Sequence, residues 1–568
     1  MSRPGLNQRM RRLASVAIAT VAAIALSSCV SIPSSGPVLT GREVSEQETG
    51  SGSEVVPEGP IAGAEQEAIL SGFLSAHSGS GNFDVARQFL SSDLAEEWEP
   101  RESVLVRTGS TDFRRLGETG IAYDIVVSAV VDRDGLYTPY PLEPQSLAFQ
   151  FVQENGEWRI SAAPDGIVLS TGTFANLFSP YPLYFLDPAG EALVPDLRWF
   201  PGGTAATRIV TALLSGPPAW LEGAVGTAFP EGTQLSTPRR VPVESNIAVV
   251  SLTDEALAAN EGQRQLMRFQ LEASLSRITS IASVDLLVGG TPLTIAPIGA
   301  SAPKLRPQVD SRMLVLRDGQ FGYLVNDRVT AIQGLSDKVI ATSPTEITLA
   351  ESKTAAATLG NGGAYLARAD AEQPLLVDAR PGLIAPTLDG YGYVWTVQRS
   401  DPGSIIVSDR DGNQSPVQTT LPHDAEIVSL EVSRDGARVA ALLATSAGAR
   451  LVVSSIIRDQ NQDSVPVALG SEARVDLIVD SGTAIDATWV DELSVGVLFR
   501  DGGEAEVVSL QVGGERKSLG DPGESAMALV GGNNENGLRV IGEDGVVSSR
   551  RGSGWQSGVT VSVLATQR

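Results

Sequence analysis

Six Asp-Gly dipeptides, beginning at Asp318, Asp389, Asp411, Asp435, Asp501 and Asp544, stand among short apolar runs in the last 258 residues of this 568-residue chain. A tight two-residue hairpin needs positive φ at both central positions, and aspartate followed by glycine supplies that at little steric cost. Runs such as residues 438–443, 493–499 and 538–541 therefore read as strands joined by repeated hairpins. Successive Asp-Gly positions lie 71, 22, 24, 66 and 43 residues apart, close to half, one or one and a half units of roughly 45 residues per four-stranded blade. Residues 311–568 are expected to form a β-propeller of about six blades. The irregular repeat and the lack of Trp-Asp dipeptides leave a seven-bladed ring or two stacked sandwiches open.

The other end of the chain sets its location. Arg3, Arg9, Arg11 and Arg12 precede an apolar stretch over residues 13–26, so residues 1–28 read as a signal peptide. That stretch is too short to span a bilayer. Leu26-Ser27-Ser28-Cys29 has the form of a bacterial lipobox, in which the cysteine thiol is diacylglycerated, the signal is cut off and the new amino group is often acylated. Cys29 is the expected lipidation site, and two or more acyl chains hold a protein stably where one is marginal. The expected location is the cell membrane, lipid-anchored on the extracytoplasmic face.

Cys29 is also the only cysteine. No disulfide can form within the mature chain, and its domains must rest on ordinary apolar cores, for which a hydrophobic content of 42% is sufficient. Loss of the four signal arginines takes the formal net charge from −25 to −29 over the remaining 540 residues. Such a surface repels phosphate, so nucleic acid and anionic lipid headgroups are poor direct partners.

Between these ends the composition changes in steps. Residues 29–60 read as a lipidated disordered tether: residues 30–60 hold six Ser, five Gly, four Pro and five Glu against one Arg, with no apolar period. A coil of that length reaches roughly 30 Å. Over residues 61–180, Ile69, Leu70, Phe73 and Leu74 recur at helical spacing, a Gly/Ser break follows His77, and a second helix is expected around residues 84–90. Strand-like runs at 121–131 and 147–152 come next, and Asn155-Gly156 turns the chain into 158–160. Helices followed by an antiparallel sheet make a small α+β domain, similar to the cone-shaped nuclear-transport-factor-like folds or built on another α+β layout.

A second α+β domain is expected over residues 181–300, with strands at 183–186, 246–252 and 284–288. Its helices cover 207–214, stopped by Gly216-Pro217-Pro218, and a segment carrying Met267, Leu271, Leu275 and Ile278 on one face. The phrases Ile209-Val-Thr-Ala-Leu-Leu-Ser-Gly-Pro217, Phe229-Pro-Glu-Gly-Thr233 and Ala248-Val-Val-Ser-Leu252 resemble the GerMN domain. Residues 301–310 read as a linker.

Catalytic patterns are sparse. His77 and His423 are the only histidines and neither has a convincing partner; His77 ends a helix, where an imidazole can cap terminal carbonyls, and His423 lies in a turn. Ser301-Ala-Pro-Lys304 matches Ser-x-x-Lys, but proline sits in the interval and the companion motifs are missing, so a linker is the better reading. Asp132-Arg-Asp134-Gly135 and Asp409-Arg-Asp411-Gly412 place glycine fourth where a calcium loop needs it sixth, and read as hairpin turns. No phosphate-cradling glycine motif occurs. Paired carboxylates carry no specificity in so acidic a chain. No catalytic, cofactor-binding or metal-binding residue is assigned, and the protein is not expected to be an enzyme.

In order, lipobox, acidic tether, small α+β domain, GerMN-like domain and propeller resemble the LpqB family of actinobacterial lipoproteins over essentially the whole chain. That resemblance implies an accessory protein acting with a sensor kinase and response regulator of the MtrB and MtrA type, its partner being the kinase extracellular domain, in envelope homeostasis and division. The alternative is a cell-envelope glycan-binding or glycan-processing lipoprotein, with a cell-wall component as its ligand. A solute-binding lipoprotein would need two α/β lobes with parallel sheets, which the strand pattern does not show.

Overall fold

The computed structural model describes residues 57–79, 83–472, 477–480 and 482–568, and side chains outside 471–481. The signal peptide, Cys29 and nearly all of the tether lie outside the described residues, as do residues 80–82 of the Gly/Ser break.

Three short helices open the described chain: α1 (Gln66–Ala76), α2 (Asp84–Arg87) and α3 (Ser92–Glu97). In α1 the apolar residues Ile69, Leu70, Phe73 and Ala76 are all buried, as their spacing requires. Strands β1 (Ser103–Arg115), β2 (Gly120–Asp132), β3 (Tyr137–Pro139), β4 (Pro144–Glu154), β5 (Glu157–Ala162) and β6 (Ile167–Ser170) form one sheet in the order β5-β4-β2-β1-β6, with β3 on β2. Asn155 and Gly156, at φ 54° and 84°, make the β4–β5 hairpin. Two details depart from the sequence expectation. A third helix is present, and the sheet is mixed, because β6 pairs with β1 in parallel.

Helix α4 (Thr171–Leu177) leads into a long hairpin, β7 (Phe178–Leu186) and β8 (Leu193–Pro201), which spans the expected domain boundary at 180/181. Beyond it come α5 (Ala205–Leu214), β9 (Val243–Glu244), β10 (Ile247–Leu252), α6 (Glu261–Leu275), β11 (Ser283–Val288) and β12 (Thr291–Pro292). Parallel β10 and β11 need a crossover, which α6 supplies, started by a capping box between Asn260 and Gln263. Gln270 and Ser274 are polar yet fully buried on α6, because they bond the backbone of β7: Gln270 donates to the Tyr184 carbonyl at 2.8 Å, and Ser274 accepts the Tyr184 N–H at 3.0 Å.

From Leu314 onward the chain forms six four-stranded sheets among the described residues, two of them extended by a fifth strand. The innermost strands of blades two to six are Glu346–Leu349, Thr387–Leu388, Glu426–Val432, Thr483–Trp489 and Ala526–Val530, and they touch one another around the ring. Blade one takes its inner strand from Val563–Leu564, which pairs with Leu314–Arg317, so the end of the domain closes its beginning and completes the ring. Every Asp-Gly pair lies at a hairpin, but at different ones. Asp389 and Asp435 follow the first strand of blades three and four, Asp318, Asp501 and Asp544 the second strand of blades one, five and six, and Asp411 the third strand of blade three. Only the 43-residue step joins equivalent turns of adjacent blades, which accounts for the irregular repeat.

Candidate functional site

The residues that stood out in the sequence are occupied with structure. His77 is buried against Phe73 and Trp98, and its Nδ1 accepts the N–H of Val168 at 3.0 Å. It therefore ties α1 to β6 rather than capping helix carbonyls. Burial lowers its pKa to about 3, so it is a neutral side chain. His423 is largely exposed, with Nδ1 3.6 Å from Asp401. Lys304 pairs with exposed Glu351 at 2.7 Å, and its carbonyl accepts the Leu193 N–H at 3.0 Å, extending β8. Asp132 and Asp409 each accept two downstream backbone N–H groups in hairpin turns. Among the described residues no group of three or more His, Cys, Asp or Glu is placed to hold a metal ion, and no helix is long and apolar enough to cross a membrane.

Two carboxyls on inner strands of the propeller, Asp486 and Glu346, are shifted upward in pKa. In the inner strands of blades four and five, Leu430, Val432, Ala487 and Trp489 enter apolar clusters, while Glu431 and Thr488 between them face polar partners. β-Bulges after Ala484 and after Ile427 set the register at Asp486 and Ser429. Asp486 accepts the N–H of Leu529 and of Ala487, both at 2.8 Å, Thr488 accepts that of Gly531 at 3.1 Å, and Ser429 donates to the Ala487 carbonyl at 3.0 Å. These side chains lace neighbouring inner strands together. Burial raises the Asp486 pKa to about 6, and burial together with the Asp486 charge raises Glu346 to about 7. Glu431 forms an ion pair with Arg568 nearby.

A denser polar network joins the GerMN-like domain to the propeller. Arg438, fully buried, donates to Asp435 and to the Glu492 carbonyl, both at 2.6 Å, and stacks 4.9 Å from the Trp489 ring. The Glu492 carboxylate accepts the Tyr184 hydroxyl at 2.8 Å and pairs with Arg306 at 3.1 Å. Between blades three and four, Asp389 pairs with Arg458 at 2.9 Å, Arg458 lies 4.1 Å from the Tyr391 ring, and the Tyr391 hydroxyl donates to Asp187 at 2.7 Å. Burial, with a carboxylate beside each, holds both tyrosines above the usual phenol range, so they remain donors. A cavity of about 10 Å³ lies among Leu193, Pro307, Arg434, Arg438, Asp491 and Glu492. It has room for about one water and no ligand.

Sequence reasoning did not anticipate this network. Its partners are 204 and 308 residues apart in the chain for Tyr391–Asp187 and Tyr184–Glu492. The one local sign is the hairpin itself, whose strands carry near-continuous apolar and aromatic runs, Tyr181 to Leu186 and Leu197 to Phe200. Such runs mark strands buried on both faces.

Three family models match in the order of the domains: the N-terminal domain of lipoprotein LpqB over residues 59–175, the sporulation and spore germination domain over 182–294, and the LpqB β-propeller domain over 319–564. The chain belongs to the LpqB lipoprotein family. Lipoprotein LpqB of Cutibacterium acnes is 25% identical, covering 94% of this chain and 95% of the relative. That of Thermobifida fusca is 26% identical over 90% and 91%, and that of Bifidobacterium longum 30% identical over 47% and 49%.

Proposed function

We propose that this protein is a lipid-anchored accessory of a two-component sensor kinase, held by Cys29 on the extracytoplasmic face of the cell membrane and acting in envelope homeostasis and division. The observation that carries this reading is that the reactive-looking side chains, including His77, Asp486 and Arg438, are consumed in structural contacts within their own domains. What remains is a large acidic surface suited to recognition. An MtrB-like extracellular domain is the partner implied by the family resemblance. Lipid confinement raises the local concentration of such a surface beside a membrane receptor, so weak contacts suffice. Any regulation then equals the difference in affinity for the two states of the kinase. Pull-down with the kinase extracellular domain is the test. Retention of the full-length protein supports the reading, and no detectable binding at micromolar concentration overturns it.

One observation favours a second reading, glycan binding or processing. Glu346, with its pKa raised to about 7, has the protonation behaviour of a general acid. Against it, the neighbouring Asp486 is committed to the backbone of Leu529 and Ala487. Release of soluble products from cell-wall glycan, lost in Glu346→Gln, would establish that reading.

A further inference from the structure

We infer that the β7–β8 hairpin is a keystone that locks the N-terminal domain, the GerMN-like domain and the propeller into one rigid body, pinned at the propeller by the Tyr391–Asp187 and Tyr184–Glu492 hydrogen bonds. Domains joined in one chain move relative to each other by default, unless the interface between them is large and apolar. Here a single hairpin is shared by three cores. Phe178 and Trp199 belong to the core of the N-terminal domain, Tyr181, Leu183 and Phe185 to that of the GerMN-like domain, and Val194 to an apolar cluster with Leu442, Trp489 and Val495 of the propeller. Moving any one domain would pull apolar surface out of at least two cores.

The polar contacts add direction to this apolar contact. Asp196, at the propeller side of β8, pairs with Arg198 and accepts the Trp220 indole N–H at 3.2 Å, and Arg198 donates to the Asp134 carbonyl of the N-terminal domain at 2.7 Å. Tyr391 and Tyr184 donate in opposite senses across the same boundary, one from the propeller and one from the hairpin. A shifted docking would leave buried Asp187 and half-buried Glu492 without these donors, and a carboxylate withdrawn from water that loses a partner is costly. The segment after residue 301 is held too: Val309 exchanges two hydrogen bonds with the Asn533 side chain, both at 2.8 Å, so the linker follows the propeller surface. The consequence is mechanical. Contact made at any one domain displaces the whole body, and no reorientation between domains is available as a signal.

The lock does not depend on any partner, so its test is independent of the accessory role. Calorimetry of the full-length protein should show the GerMN-like domain and the propeller unfolding in one endotherm, and Tyr184→Phe/Tyr391→Phe should split it in two. Two resolved endotherms in the unsubstituted protein, or one endotherm in the variant that is merely shifted, would overturn the inference. Should the double variant not fold, hydrogen exchange on Tyr391→Phe replaces it. Amides of Leu193, Val194, Asp196 and Leu197 should exchange with the inner propeller strands in the unsubstituted protein and at least tenfold faster than them in the variant. Faster exchange of these amides already in the unsubstituted protein, or no change on substitution, would also overturn it.

Discussion

Trp199 donates its indole N–H to the carbonyl of Gly513 at 3.0 Å, and so fastens the N-terminal half of the molecule to a turn of the fifth blade. Its ring lies 5.2 Å from those of Tyr137 and Phe174, inside the core of the N-terminal domain. One side chain thus serves a core and a docking contact. Trp199→Phe keeps an aromatic ring, though a smaller one, and loses the donor, and is expected to cost about 1–2 kcal/mol. Trp199→Ala also empties the core and is expected to cost about 3–5 kcal/mol. Denaturant unfolding of both variants checks this, and a loss below about 1 kcal/mol for the alanine variant contradicts it.

Gly135 is held at φ 81°, and a Cβ there would stand 2.5 Å from Phe200 Cε1 and 2.9 Å from the Trp199 carbonyl oxygen. Glycine is required both by the turn and by the close approach of the hairpin. Gly135→Ala is expected to destabilise the protein by about 2–3 kcal/mol and to loosen the N-terminal domain first. Proteolysis at the β2–β3 turn is the readout, and unchanged resistance would be inconsistent with the contact.

Acid sensitivity is expected to come from His77. Its pKa is lowered to about 3 in the fold, whereas the unfolded chain titrates near 6.5, so the unfolded state binds the extra proton between those values. Stability is fully present above about pH 6.5 and falls as pH drops toward 3, by up to about 1.4 kcal/mol per unit. In His77→Gln that slope should flatten. An unchanged pH profile of unfolding would show that the imidazole is solvated.

Glu346 acts in the opposite sense. Its pKa is raised to about 7 by burial and by Asp486, so the folded state keeps a proton that the unfolded state releases. This part of the stability is present below about pH 4.5 and is lost as pH rises to 7. Glu346→Gln is expected to raise propeller stability by about 3 kcal/mol at pH 8 and by almost nothing at pH 4. Equal gains at both pH values would point to packing instead of charge.

Lipidation at Cys29 is checked by mass spectrometry of the N-terminal peptide from membrane-recovered protein. A diacylglyceryl adduct is expected; a free thiol there would remove the anchor from the proposed function.

Much of the architecture was legible because it is written locally. Apolar spacing in α1, the Gly216-Pro217-Pro218 stop after α5 and the Asn155-Gly156 turn each act within a few residues, and each places its element as expected. The Asp-Gly turns signalled a propeller but not its phase, since a turn dipeptide reports a hairpin without saying which of a blade's three it is. β1 escaped notice altogether: its outer half is exposed and carries Thr, Ser, Asp and Arg, with no alternation to read. The His77 contact was misjudged because its partner, Val168, lies 91 residues away.

By itself, then, the chain's local chemistry determined where it turns, which faces are apolar and that no disulfide can form within the chain, while the number of blades was settled by the strand pairing. What only the tertiary structure decided is which buried polar groups meet. Asp187, Tyr391, Glu492 and Tyr184 are ordinary residues in their own segments, and they become a lock once a hairpin apolar on both faces is pressed between three cores. The physical reason is that burial removes water as a competing partner, so each of these groups must bond to whatever the packing brings beside it, and packing is set by the whole chain.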